Sequence, residues 1–227
     1  MTLTLTQLPL MPWSKDVNAD LADVDMMHRR VMSLLPAVAS RTSRHDLDTL
    51  FRTHNTADGN VNLLIQSNHP LNLARLPQGY AEAARAKPLD VLFNNLKNGS
   101  IIKCNVVANP SYSSNIGEFA YIERSQRRGL TGENAHNDWW ARKANTAGLT
   151  LHENTTIMQS VPAFKGERIT TTPNGEPNHT DHIFHKAIYI TSHATVYNAD
   201  ALRNAIRRGI GAGKSHGLGL LMVATQH

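Results

Sequence analysis

The chain has 227 residues, 41 % of them hydrophobic and 18 % charged, which excludes a disordered protein and leaves room for one large core or two small ones. No apolar run approaches the roughly 18–20 residues of a membrane span, and no basic leader with a small-residue cleavage site opens the sequence. Net charge is +5 and the pI is near 9.5, which permits a polyanionic partner without requiring one; the single cysteine, Cys104, excludes an internal disulfide and fits a reducing, cytoplasmic setting.

Thr2–Leu10 reads as a strand, with Leu3, Leu5 and Leu8 set among threonines. After a turn over Pro12–Lys15, Leu21–Leu35 reads as a helix: Val24, Met27, Val31, Leu34 and Leu35 follow helical spacing and Pro36 closes it. Leu47–Thr53 and Asn62–Ser67 read as two strands joined through the turn signal Asp58-Gly59. A short helical piece over Leu71–Leu76 and a closing strand over Pro88–Phe93 complete a β-α-β-β-α-β order.

The order then repeats. Ser100–Ala108 is a strand rich in Ile and Val, ended by Asn109-Pro110. Asn134–Ala147 is a helix with Gly148 as its C-cap. Leu149–Ser160 is a strand, the polar stretch Lys165–Asp181 a hairpin loop, and Ile183–Thr191 a strand. Asp200–Arg208 is a helix capped by Asn198 or Asp200, and Gly217–Ala224 is the last strand. The expected fold is α+β, two tandem ferredoxin-like (RRM-like, βαββαβ) domains over 1–97 and 98–227. The repeat is architectural, without residue-level similarity between the halves. Up to Lys97 there are ten Lys and Arg against nine Asp and Glu, and from Asn98 onward thirteen against nine, so a polyanion is expected to lean on the second half.

The most distinctive segment is Arg207-Arg208-Gly209-Ile210-Gly211-Ala212-Gly213-Lys214-Ser215-His216-Gly217-Leu218-Gly219. A nucleotide-binding P-loop needs a glycine six positions before the lysine, and Arg208 stands there. The loop also follows a helix and leads into a strand, the reverse of that motif. Glycines let backbone N–H groups approach phosphate oxygens, and Lys214 and the arginines Arg203, Arg207 and Arg208 add charge. The alternative is a glycine-rich turn that only lets the last strand pack.

His28 lies in Asp25-Met26-Met27-His28-Arg29-Arg30, at the edge of an apolar helix stripe. A lone helical histidine is commonly structural. It becomes chemical if it meets a phosphate: RNA cleaves itself when its 2′-OH attacks the adjacent phosphorus, and a histidine titrating near neutrality assists by about 10²–10⁴-fold without a metal. Arg29 and Lys214 are candidates to stabilise the developing charge. His179-x-x-His182-x-x-His185 invites a metal reading, but residues three apart on a strand face opposite ways, and no HExxH or cysteine pair accompanies them. No metal or other cofactor is expected.

Taken together these segments resemble the CasE family, the CRISPR repeat endoribonucleases of type I-E Cascade. The resemblance runs nearly end to end: Trp13-Ser14-Lys15-Asp16, Asp20-Leu21-Ala22-Asp23, Met27-His28-Arg29, Leu64-Ile65-Gln66-Ser67, Ala108-Asn109-Pro110, Trp140-Ala141-Arg142-Lys143 and, most specifically, the closing glycine-rich segment through Leu221. It implies binding of a CRISPR repeat stem-loop and metal-independent cleavage at its 3′ base, giving a 2′,3′-cyclic phosphate and a 5′-OH. The product RNA stays bound, with the other Cascade subunits as partners, in particular the backbone subunit next to the 3′ end of the guide. His28 matches the family's catalytic histidine, with Asp25 and Arg29 beside it. Gly209, Gly211, Gly213, Lys214 and Ser215 match the loop near the RNA backbone. The basic stretch carrying Arg124, Arg127 and Arg128 resembles a segment that grips the stem.

One position departs. Relatives often carry a tyrosine three residues before the histidine, where Asp25 stands; the expectation is that His28 relies on Asp25 or on a different second group. The alternative function is a catalytically weak or inactive hairpin-binding subunit that caps the 3′ end of the guide. An RRM that stacks single-stranded bases is disfavoured by an aromatic content of 6 %.

Overall fold

The computed structural model describes residues 2–36, 49–114, 126–171 and 177–225. Strands β1 (Thr4–Pro9), β2 (Leu50–Asn55), β3 (Val61–Ser67) and β4 (Arg85–Pro88) form an antiparallel sheet in the order β2-β3-β1-β4. Strands β5 (Ile101–Ala108), β8 (Leu149–Leu151), β12 (Ile188–Val196) and β13 (Met222–Thr225) form a second in the order β13-β5-β12-β8, with β9 (Ile157–Ser160) also on β12. Numbered within each half, both sheets run fourth, first, third, second, the strand order of the ferredoxin-like arrangement.

Alternation assigns each face of the first sheet. Leu8, Leu10, Phe51, Leu63 and Ile65 point to α1 (Lys15–Ala22) and α2 (Val24–Ser33), where Val17, Met27, Val31 and Leu34 close one core. The opposite face carries Leu50 and Leu64, which pack on Leu220 beside the second sheet. Three polar ties cross the same seam. Arg52 donates to the Asn105 side chain at 2.9 Å, Gln66 to the Ile206 carbonyl at 2.9 Å, and Arg203 to the carbonyls of Phe93 at 3.0 Å and Leu96 at 2.5 Å. The second sheet buries Ile102, Cys104, Val106, Ile190, Ala194 and Val196 under α4 (Glu133–Thr146) and α5 (Ala199–Arg208). Trp140, fully buried there, satisfies its N–H on the Ser192 hydroxyl at 2.9 Å.

Several expectations change. The first helix is two, broken at Asp23, whose backbone is extended and whose carboxylate caps α2 through the N–H groups of Asp25 (2.7 Å) and Met26 (3.1 Å). The second helical piece of the first half is only a 3-10 turn over Leu73–Arg75. Pro88–Phe93 is not a strand: the strand ends at Pro88, and Asp90–Asn95 is helix α3, which places Leu89, Phe93 and Leu96 in the core of the second half. Leu149–Ser160 is two short strands, and the final strand begins at Met222. The polar stretch after Val161 is a long hairpin of β10 (Phe164–Thr171) and β11 (Pro177–His185). A second hairpin, β6 (Ser111–Ser114) with β7 (Gln126–Gly129), follows β5.

Candidate active site

Helix α2, the hairpin β10–β11 and the glycine-rich loop after α5 meet at one point. The capping carboxylate of Asp23 also accepts the Glu167 N–H at 3.0 Å, pinning β10 to the start of α2. Gly166 permits this approach, because a Cβ there would stand 2.6 Å from Asp23 Oδ1. His28 lies one turn along α2, half-buried, its ring 6.5 Å from that of Phe51 and nearly parallel to it.

The loop is shaped by its glycines. Gly209, Gly211, Gly213, Gly217 and Gly219 all have φ between 70° and 83°. Only glycine adopts this region without strain. Gly219 shows the tightest packing: a Cβ there would lie 2.5 Å from the Ile210 carbonyl oxygen, which its backbone crosses while the Ile210 N–H donates to the Gly219 carbonyl at 2.8 Å. The left-handed glycines Gly213 and Gly217 flank a 3-10 turn, Lys214–His216, that carries His216 to within 6.5 Å of His28, ring to ring and edge-on. His216 also packs on His185 of β11, with Nδ1 2.8 Å from His185 Nε2. Burial, followed by the charges of His185, Arg168 and His28, lowers the His216 pKa to about 4, and burial lowers that of His185.

Asp25 is 5 % exposed, and its oxygens go to guanidinium groups: Arg29 Nε at 3.3 Å and Arg168 Nε at 3.0 Å. Asp25 thus holds the two arginines, and His216 lies edge-on to the His28 ring. Arg29 is 67 % exposed at its side chain.

The expected RNA-facing residues divide. Gly211, Gly213, Lys214 and Ser215 line a cleft of about 750 Å3 together with His185, Lys186 and His216, and among the described residues no carboxylate lines it. Gly129, at the end of β7, lines the same cleft, and the exposed Arg128 precedes it; Arg127 shares that strand, and Arg124 lies outside the described residues. Arg208, Gly209 and Lys214 border a smaller cleft with Lys143 on the loop's other side. Arg203 and Arg207 line neither of these clefts: Arg203 is tied to the carbonyls of Phe93 and Leu96 and to Asp200 at 2.7 Å, and Arg207 stacks over Phe93 at 5.0 Å. Both hold α5 to the α3 segment. In β11 His182 and His185 diverge as expected, His182 toward Glu167 and His185 inward to His216, while His179 pairs with Asp181. Among the described residues no group of three or more His, Cys, Asp or Glu is placed to hold a metal.

Sequence reasoning missed Arg168, His185 and His216 as members of this site. His216 stood inside the glycine-rich segment and His185 inside the histidine triplet, but Arg168 carried no local signal.

Two antiparallel sheets of this order, with a histidine-bearing helix and a glycine loop at their seam, define a class of tandem ferredoxin-like proteins. The chain belongs to the family whose model is described as CRISPR associated protein, which matches residues 3–225. The CasE resemblance stands within that family. Thermus thermophilus Cse3 bound to an RNA representing a pre-cleavage complex superposes with a TM-score of 0.75 at 23 % identity, covering 99 % of this chain and 100 % of that one. Cas6e from Escherichia coli K-12 superposes with a TM-score of 0.64 at 18 % identity, covering 97 % and 98 %. A chain of a CRISPR RNA-guided surveillance complex, pre-nicking, is 28 % identical, with a TM-score of 0.65 and coverage of 97 % and 99 %. No curated protein matches the chain.

Proposed function

We propose that this protein is a metal-independent endoribonuclease that cleaves CRISPR precursor RNA at the 3′ base of the repeat stem-loop and stays on the guide RNA as a Cascade subunit. One observation carries the reading: the half-buried imidazole of His28 meets edge-on the imidazole of His216, which lines a lysine-bearing cleft, and Asp25, three residues before His28, holds Arg29 and Arg168. The family match and the RNA-bound and surveillance-complex relatives support the same substrate and partners.

The chemistry needs few parts. A base takes the proton of the 2′-OH, the 2′-oxygen attacks phosphorus, the P–O5′ bond breaks, and the 5′-oxygen is protonated as it leaves. His28 serves this proton transfer, and guanidinium groups stabilise the charge gathered on the phosphoryl oxygens. The glycine loop, with Lys214 and Ser215, borders the RNA backbone, and Arg128 on β7 reaches toward the stem. We assign the histidine-bearing domain to 1–97 and the loop-bearing domain to 98–227. No helix among the described residues is long and apolar enough to cross a membrane, and a cytoplasmic setting fits the unpaired Cys104.

The test uses 3′-labelled repeat RNA in EDTA, the same RNA with a 2′-deoxy at the cut, and the His28→Ala protein. Cleavage in EDTA, lost with the deoxy substrate and reduced by at least about 10²-fold in His28→Ala, is expected. Tight binding without cleavage by the wild type would replace this reading with that of a guide-capping subunit.

A further inference from the structure

Three elements meet on the guanidinium of Arg168. Its Nε donates to Asp25 Oδ1 of α2 at 3.0 Å, and one terminal nitrogen lies 3.3 Å from His216 Nε2 in the glycine loop. His216 Nδ1 is 2.8 Å from His185 Nε2 on β11, and His185 Nδ1 is 3.1 Å from the Asn109 side-chain amide after β5.

With neutral rings, the protons along this row have one consistent arrangement. A guanidinium only donates, so His216 Nε2 accepts. A neutral imidazole carries one N–H, so His216 Nδ1 donates and His185 Nε2 accepts. His185 Nδ1 then carries its own hydrogen and needs an acceptor, which is the Asn109 carbonyl oxygen once the terminal amide is turned over; its oxygen and nitrogen are nearly interchangeable in shape. The lowered pKa values of both rings agree with the neutral forms. The packing is built for this row. At Gly213 a Cβ would stand 2.7 Å from Leu218 Cδ1 and 3.5 Å from His185 Nε2.

We propose that His216 is a positioning residue for RNA cleavage: together with Asp25 it holds the Arg168 guanidinium beside His28, so that Arg168 meets the phosphoryl oxygens as the 2′-oxygen attacks. The proposal rests on the ribonuclease reading above. Arg168 is the catalytic group in this arrangement, and its side chain is 45 % exposed, open to a phosphate. His216 acts through it, and His185 with Asn109 sets the tautomer that leaves His216 Nε2 an acceptor. A donor fixed in advance stabilises developing charge without reorganising at the moment of reaction.

Single-turnover cleavage is measured for the wild type, His216→Leu, His216→Gln, Arg168→Gln, the His216→Leu/Arg168→Gln double variant and His28→Ala, with the folded state and RNA affinity of each checked. Loss of a charge-stabilising donor slows such reactions by about 10²-fold, and His216→Leu and Arg168→Gln are each expected to approach that. Glutamine places an amide oxygen near the Nε2 position, so His216→Gln recovers most of what leucine loses. The double variant is no slower than Arg168→Gln alone. Equal losses for glutamine and leucine, or multiplied losses in the double variant, would overturn the proposal by showing that the ring acts on its own account. Nitrogen-15 NMR of the free protein supplies a readout without activity: an Nε2–H tautomer at His216 would also overturn it. A wild type that binds RNA but does not cut removes the ribonuclease reading itself. Failure of this proposal alone leaves a wild type that cuts and a His28→Ala protein that does not.

Discussion

Two buried carboxylates stand five residues apart at the α1–α2 corner, and each holds an arginine. Asp20, 2 % exposed, accepts from Arg30 Nε at 2.7 Å and from the Tyr80 hydroxyl at 2.8 Å, with the Arg30 guanidinium 5.1 Å over the Tyr80 ring. Burial and then the bond to Asp20 push the Tyr80 phenol far above its ordinary pKa, so it donates throughout the working range. Asp25, 5 % exposed, instead holds two arginines whose side chains are 67 % and 45 % open to solvent. The same ion-pair chemistry thus serves two ends. Partners that are themselves enclosed make a clasp for α1, α2 and Tyr80, whereas partners left open are aimed charges.

That contrast breaks most readily at Asp20. Asp20→Ala leaves a buried hydroxyl and a mostly enclosed guanidinium without their acceptor, and removal of one partner of a buried pair costs about 3–5 kcal/mol. A urea titration should show that loss, while the fraction still folded keeps its cleavage rate. A change under about 1 kcal/mol, the range of surface pairs, would put Asp20 in the same category as Asp25. The Asp25→Asn protein sharpens the comparison from the other side. Its partners are solvated, so its stability should fall by only about 1 kcal/mol, yet its cleavage rate should fall well beyond its RNA affinity, because Arg168 and Arg29 lose their aim. Equal losses of affinity and rate would make Asp25 a binding residue.

The strands with one buried face were legible because alternation has a physical cause, as in β5, where Ile102, Cys104, Val106 and Ala108 face the core. The β4 strand was not, since every residue of Arg85–Pro88 is exposed and no alternation exists to read. Helix α3 did leave a signal: Leu89, Phe93 and Leu96 recur at i, i+4 and i+7, but the apolar run from Val91 to Phe93 looks equally like a strand. Within the site, His28 and the glycine loop were visible as local patterns, and the loop's glycines proved to be needed for its own backbone shape. Arg168 was invisible because its contacts are tertiary: Asp25 is 143 residues away and His216 is 48. The packing of Arg203 and Arg207 on α3 was invisible for the same reason. Two basic residues four apart look like a solvated face until α3 is packed against them.

Acid should open the second of the two nodes through its histidines. An unfolded histidine titrates near 6.5, whereas His216 folds with a value near 4 and His185 is also lowered. Between those values the unfolded chain binds protons that the folded chain refuses, so stability is fully present above about pH 6.5 and falls as pH drops toward 4. Burial sets this sign first; His185 on β11, Arg168 on β10 and His28 on α2 also oppose the charging of His216, and Asp25 favours it. Melting temperatures from pH 7 to 4.5 should therefore fall more steeply for the wild type than for His216→Gln, which removes one of the two lowered rings and keeps an acceptor for Arg168. Identical slopes would mean that the His216 ring is hydrated in solution, and the Asp25 node would then be looser than a site that aims an arginine can be.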